Sequence, residues 1–278
     1  FYNSQGDANS PLGPGWTSSF VQHLVKTGDA LILHEADGRE VHFQAQGDWV
    51  FVSETGKPRT IEVLDDSYRL TEPDGTTLDF DLQGRLTTIA DRNGNSQTLS
   101  YENGMLMGVD DSFGRTLEFS YDAENRLESM ITPIGTFDYA YNQGNLVLVT
   151  DPSDASRQYL YQDPEDPHNL TGIVNENGIL FTAIEYDDQD RAVSSTFPDD
   201  LYRVFIDYGD DPKTRVVTDS LGRETHYEIA YQSGIGRVVA AQGTGGGTSP
   251  TPVGAEYELS PRQQVVARTG PNGSQTTY

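Results

Sequence analysis

The sequence predicts an all-β protein, a continuous antiparallel meander of short hairpins, and three observations carry that expectation. Apolar residues alternate with period two: Leu117, Phe119 and Tyr121 are interleaved with Glu118 and Ser120, and Phe137, Tyr139 and Tyr141 repeat the pattern. That is the spacing of a half-buried strand. Turns spelled Asp-x-x-Gly punctuate the chain at Asp91–Gly94, Asp111–Gly114 and Asp219–Gly222, the Asp-first, Gly-fourth signature of a type I turn. An aromatic closes a run every 20 to 26 residues, at Phe80, Tyr101, Tyr121, Tyr141, Tyr161, Tyr186, Tyr208, Tyr231, Tyr257 and Tyr278. Such a fixed interval marks a structural repeat.

The elements follow in order. Leu31–Phe43 (LILHEADGREVHF) predicts a hairpin that turns at Glu35–Gly38, and Glu72–Gly75 turns the next. A three-residue loop ending in a left-handed Gly sets Leu33 against Val41, Leu31 against Phe43, Leu70 against Leu78 and Val109 against Leu117. A two-residue loop would set Leu33 against His42 and Leu70 against Asp79. A one-residue slip moves every side chain to the other face, so the apolar match selects the first register. The glycines are then G1-bulge residues with positive φ. Alternate turns read Asp81–Gly84, Asp122–Asn125 and Asp187–Asp190, and Asn and Asp also enter the left-handed region. Inserts fall at 163–168 and 243–251, and the repeat is looser at Ile179–Tyr186 and Arg215–Tyr227. A meander of some twenty strands accumulates twist, so it must curl, split or wind as a spiral.

Composition excludes several functions. Net charge is −25, from 43 acidic and 18 basic residues, which repels nucleic acid and anionic membranes. With no cysteine, disulfides and thiolate metal sites are excluded. No apolar run is long enough for a membrane-spanning helix. The chain opens Phe-Tyr-Asn and ends at Tyr278 inside a repeat, so a piece of a longer protein is expected.

Gly84–Gly94 (GRLTTIADRNG) resembles the unit of the RHS or YD-repeat family, G-R-L-x-x-V/I-x-D-x-x-G followed by Tyr. Asn125–Gly135 departs from it by placing Thr132 where the Asp stands, and Asp219–Arg223 and Tyr257–Gly273 are looser copies. Leu12–Trp16 (LGPGW) with Ser19-Phe20, and the hairpin Leu31–Phe43, are similar to the domain that precedes these repeats. The resemblance divides the chain into an N-terminal domain, 1–65, and repeats, 66–278. It implies a spiral β-shell, here an open portion of one, related to those of teneurins and insecticidal toxin complexes. Bacterial shells of this family enclose a C-terminal toxin, engage a secretion or delivery apparatus, and are secreted or displayed at the cell surface. The alternative it leaves open is an adhesion or carbohydrate-binding module.

Candidate chemistry is sparse, and no catalytic, cofactor or metal residue is assigned. His34 and His42 with Glu40 between them could hold Zn²⁺, but exposed polar residues of a strand are the expected reading. The other histidines are His23, His168 and His226. Asp187, Asp188 and Asp190, or Asp163, Glu165 and Asp166, could offer oxygens to Ca²⁺, yet solvated turns explain them. Asp-Pro pairs at 151–152, 163–164, 166–167 and 211–212 lack the glycine-spaced double-Asp arrangement of family members that cleave themselves. They read as turn openers. The aromatic series could stack sugars, but cross-strand aromatic ladders are commonly structural.

Overall fold

The computed structural model describes residues 1–6, 10–197, 202–232, 235–244, 252–262 and 264–278. Among them are 25 antiparallel strands in an open sheet that does not close into a barrel, and no helix. Two compact units part between Tyr159 and Leu160.

The first unit carries β1 (His23–Thr27), β2 (Ala30–His34), β3 (Glu40–Ala45), β4 (Val50–Ser53), β5 (Thr60–Val63), β6 (Ser67–Thr71), β7 (Thr77–Asp81) and β8 (Leu86–Ala90). It continues through β9 (Ser96–Glu102), β10 (Met105–Asp111), β11 (Thr116–Tyr121), β12 (Leu127–Thr132), β13 (Gly135–Asn142), β14 (Asn145–Thr150) and β15 (Ser156–Leu160). Each strand pairs with its neighbour in sequence. The ladder passes from β5 to β6 across residue 65 without a break. In the second unit, β16 (Gly172–Val174), β17 (Leu180–Tyr186), β18 (Ala192–Thr196), β19 (Val204–Asp207), β20 (Thr214–Asp219) and β21 (Glu224–Gln232) continue in the same way. So do β22 (Ile235–Thr244), β23 (Pro252–Leu259), β24 (Val265–Thr269) and β25 (Gln275–Thr277). The looser copies at 179–186 and 215–227 contain strands as well, β17 in the first and parts of β20 and β21 in the second.

The register is the one that apolar matching selects: Leu33 faces Val41, Leu31 faces Phe43, Leu70 faces Leu78 and Val109 faces Leu117. Gly38, Gly75, Gly94, Gly114 and Gly222 have φ between 74° and 89°. Asn125 and Asp190 take the same conformation at 61° and 56°. At Asp111 the Gly114 N–H donates to the Asp111 carbonyl at 3.1 Å and the Asp111 N–H to the Arg115 carbonyl at 2.9 Å. This is the three-residue hairpin with a G1 bulge.

Period two puts the core of the first unit on one face. Leu33, Phe43, Ile61, Leu70, Phe80 and Leu86 are fully buried there, and burying each such side chain contributes about 1.5–3 kcal/mol. Arg59 ties three loops together at its rim. It is ion-paired with Glu35 at 2.8 Å and with Glu72.

Candidate functional site

The repeat is built around one side-chain clasp. In the turns before Arg85, Arg126 and Arg191, an Asp carboxylate accepts two backbone N–H groups and the arginine side chain. Asp122 Oδ1 accepts from Glu124 N at 3.0 Å and Arg126 N at 2.9 Å, and Oδ2 accepts from Arg126 Nε at 2.8 Å. Asp81–Arg85 and Asp187–Arg191 are the same. The arginine then lies over the aromatic that closes the next run: Arg85 over Tyr101 at 5.3 Å, Arg126 over Tyr141 at 4.7 Å, Arg191 over Tyr208 at 4.3 Å. Such cation–π contacts hold the arginine against the tyrosine ring.

The tyrosine hydroxyl closes the clasp. Tyr101 donates to the Leu86 carbonyl at 2.8 Å, Tyr121 to Leu106 at 2.7 Å, Tyr141 to Leu127 at 2.8 Å and Tyr186 to Leu170 at 2.8 Å. Tyr208 and Tyr231 donate likewise to Ala192 and Pro212. Leu86, Leu106, Leu127 and Ala192 sit at the β-bulges opposite Phe80, Tyr101, Tyr121 and Tyr186, where the backbone ladder is locally disrupted. Burial pushes the Tyr101 and Tyr121 hydroxyls up to about 12. The spacing of Leu and Tyr, 15 or 16 residues in most units, was present in the sequence as a recurring Leu. Its hydrogen bond is a property of the fold.

A cavity of about 750 Å³ lies between the N-terminal segment and the core side of the sheet. Leu12, Trp16 and Phe20 line it from the segment, and Leu106, Phe119, Met130, Phe137 and Val149 from the strands. The segment is pinned by Leu127 N–H donating to the Pro11 carbonyl at 2.7 Å. Trp16 packs edge-on against Tyr2 at 5.4 Å and Tyr159 at 4.8 Å. The Leu-Gly-Pro-Gly-Trp motif is explained here. Gly13 has φ +90° and approaches Gly144 so closely that a Cβ would lie 2.8 Å from its carbonyl oxygen, a conformation and contact that favour Gly.

The other candidates are placed as follows. Glu40 lies between His34, at 3.5 Å, and His42, at 3.8 Å, on the face opposite the core residues Val41 and Phe43. The two acidic clusters meet through a residue that the sequence did not single out. Asn169 is 1% exposed and donates from Nδ2 to Asp163 and to Asp190, both at 3.0 Å. Among the described residues no three of His, Asp and Glu are grouped to hold a metal. All four Asp-Pro aspartates open turns, accepting at Oδ1 the N–H two residues on: Ser153, Glu165, His168 and Lys213, at 2.7–2.9 Å.

A family model described as a domain of unknown function, DUF6531, matches residues 1–43. No curated protein matches the chain. Among solved structures, the crystal structure of TcdB2-TccC3-Cdc42 aligns over 86% of this chain and 17% of its own, at 12% identity and TM-score 0.39. TcdB2-TccC3 without its hypervariable C-terminal region aligns over the same shares at 14% identity and TM-score 0.38. A porin-like protein from Bacteroides uniformis aligns over 94% of this chain and 95% of its own, at 11% identity and TM-score 0.19. The chain thus spans about a sixth of the length of the TcdB2-TccC3 chains it is similar to.

Proposed function

We propose that the chain is a non-enzymatic scaffold, a portion of an RHS/YD-repeat shell that wraps a polypeptide cargo, a C-terminal toxin or effector. The observation that carries the reading is the clasp. Asp, Arg and Tyr, the residues that repeat, are used on one another and on the backbone. A repeat that engages its charged and aromatic groups on one another extends a wall. Two further observations support it. The core side of the wall presents apolar side chains to a cavity, and the family match falls on the segment that covers that cavity. The adhesion or glycan reading is less favoured, because sugar stacking needs open rings. Here Tyr101, Tyr141 and Tyr208 lie beneath arginines with their hydroxyls engaged.

Protease protection of the complete natural protein tests the reading. Under native conditions the polypeptide that follows the repeats should resist digestion, and it should be degraded once urea unfolds them. Equal digestion in both conditions would overturn encapsulation.

A further inference from the structure

His23 opens β1 and stands directly opposite His34 of β2, which in turn stands opposite Glu40 of β3. The His23 and His34 rings are stacked, 4.5 Å apart and 4° from parallel. Glu40 is the one carboxylate shared by His34 and His42. From the β7–β8 turn, Arg85 forms a backbone bridge with His23 while its own guanidinium is held by Asp81. From beyond β4, Glu54 donates its N–H to the His42 carbonyl and accepts Gln44 with its carboxylate. Burial, then the neighbouring His23 charge, holds His34 below its ordinary value against the opposing pull of Glu40.

His23 is also the joint of the N-terminal segment. Its Nδ1 donates to the Val21 carbonyl at 3.1 Å, and the next residue, Leu24, donates its N–H to Gly84 at 2.8 Å. Stacked neutral imidazoles tolerate this arrangement. Two imidazolium rings at the same separation, with one carboxylate among three histidines, repel.

We propose that the His23–His34 stack is an acid-sensitive latch, whose protonation drives the His23 end of β1 from β2 and frees residues 17–22, the strap that holds the N-terminal segment over the cavity. The latch rests on the geometry of β1, β2 and β3 and holds whether or not the cavity faces a cargo.

Trp16 reports on it. The chain has two tryptophans, and Trp49 is 64% exposed, so Trp49→Phe leaves Trp16 as the sole emitter. In that background, Trp16 emission should shift to the red as pH falls from 7.5 to 4.5, with a midpoint below roughly 6.5, while far-UV circular dichroism stays constant. His23→Phe keeps a flat ring without the charge and should lower the midpoint by about half a pH unit or more. His34→Gln should do the same and serves if His23→Phe fails to fold. His226→Gln should leave the midpoint in place. The latch is overturned if emission does not change with pH, if both latch variants titrate with the parent, or if circular dichroism is lost at the same midpoint.

Discussion

Two glycines with nearly the same backbone conformation separate strain from contact. Gly94 has φ +86° and open space where a Cβ would go, whereas a Cβ on Gly84, at φ +83°, would lie 1.9 Å from the Leu24 carbonyl oxygen. Gly94→Ala should therefore cost only the left-handed penalty, about 1–2 kcal/mol. Gly84→Ala should cost clearly more, because the β1 backbone must move. Urea midpoints of the two variants check this, and equal midpoints would refute it. Tyr101 supplies a second test at this scale. Tyr101→Phe leaves the Leu86 carbonyl without its 2.8 Å donor, a loss of about 1–3 kcal/mol. The same hydroxyl gives a pH dependence. Its value is raised from 10.0 to about 12, so the unfolded chain loses this proton first. Its contribution to stability is complete below pH 10 and is lost as pH rises from 10 through 12. Alkaline titration of thermal stability should show the decline, shallower in Tyr101→Phe.

At the scale of the hairpin, the Asp of each turn is both a turn former and an ion-pair partner. In the turn from β20 to β21, the Arg223 side chain and then the Arg223 N–H hold the Asp219 carboxylate below 3.8. A lowered carboxylate stabilises the fold above its unfolded value, and that contribution disappears as pH falls through the folded one. Asp219→Ala should speed amide exchange in β20 and β21 at pH 7 and blunt their acid sensitivity below about pH 4. Unchanged exchange would show that the turn is held by other contacts. Hairpin register, bulge glycines and turn positions were legible in the sequence because each is fixed within ten residues by alternation and by one φ > 0 position. The clasp was less so. Arg85, Tyr101 and Leu86 are visible as recurring letters, but the donor–acceptor pairing of Tyr101 with Leu86 depends on how one hairpin lies against the next. The N-terminal cavity was illegible. It depends on Pro11 meeting Leu127 and Trp16 meeting Tyr159, contacts across more than a hundred residues that no periodicity encodes. The meeting of Asp163 and Asp190 on Asn169 was hidden for a related reason, since it joins an insert to a turn.

At the scale of the whole molecule, hairpin repeats touch mainly their neighbours, so stability is close to a sum of local terms and is free to vary along the chain. The two compact units differ in those terms. The first has a continuous core of leucines, phenylalanines, Ile61 and Val109, many with no exposed surface. Among the described residues of the second, the buried apolar side chains are Leu170, Ala240, Ala255 and Ala267, and alanine removes little area from water. Its β17 also leaves Leu180 and Phe181 exposed. The backbone ladder is alike in both units, so the difference in burial should set the order of unfolding. Residues after Leu160 should lose hydrogen-exchange protection at lower urea than β2 to β10, giving two transitions. Leu170→Ala should lower the first transition and leave the second in place, since Leu170 lies in the weaker unit. Leu33→Ala should lower the second by about 2–5 kcal/mol. A single transition with uniform protection, moved equally by both variants, would show that the difference in burial does not set the order of unfolding.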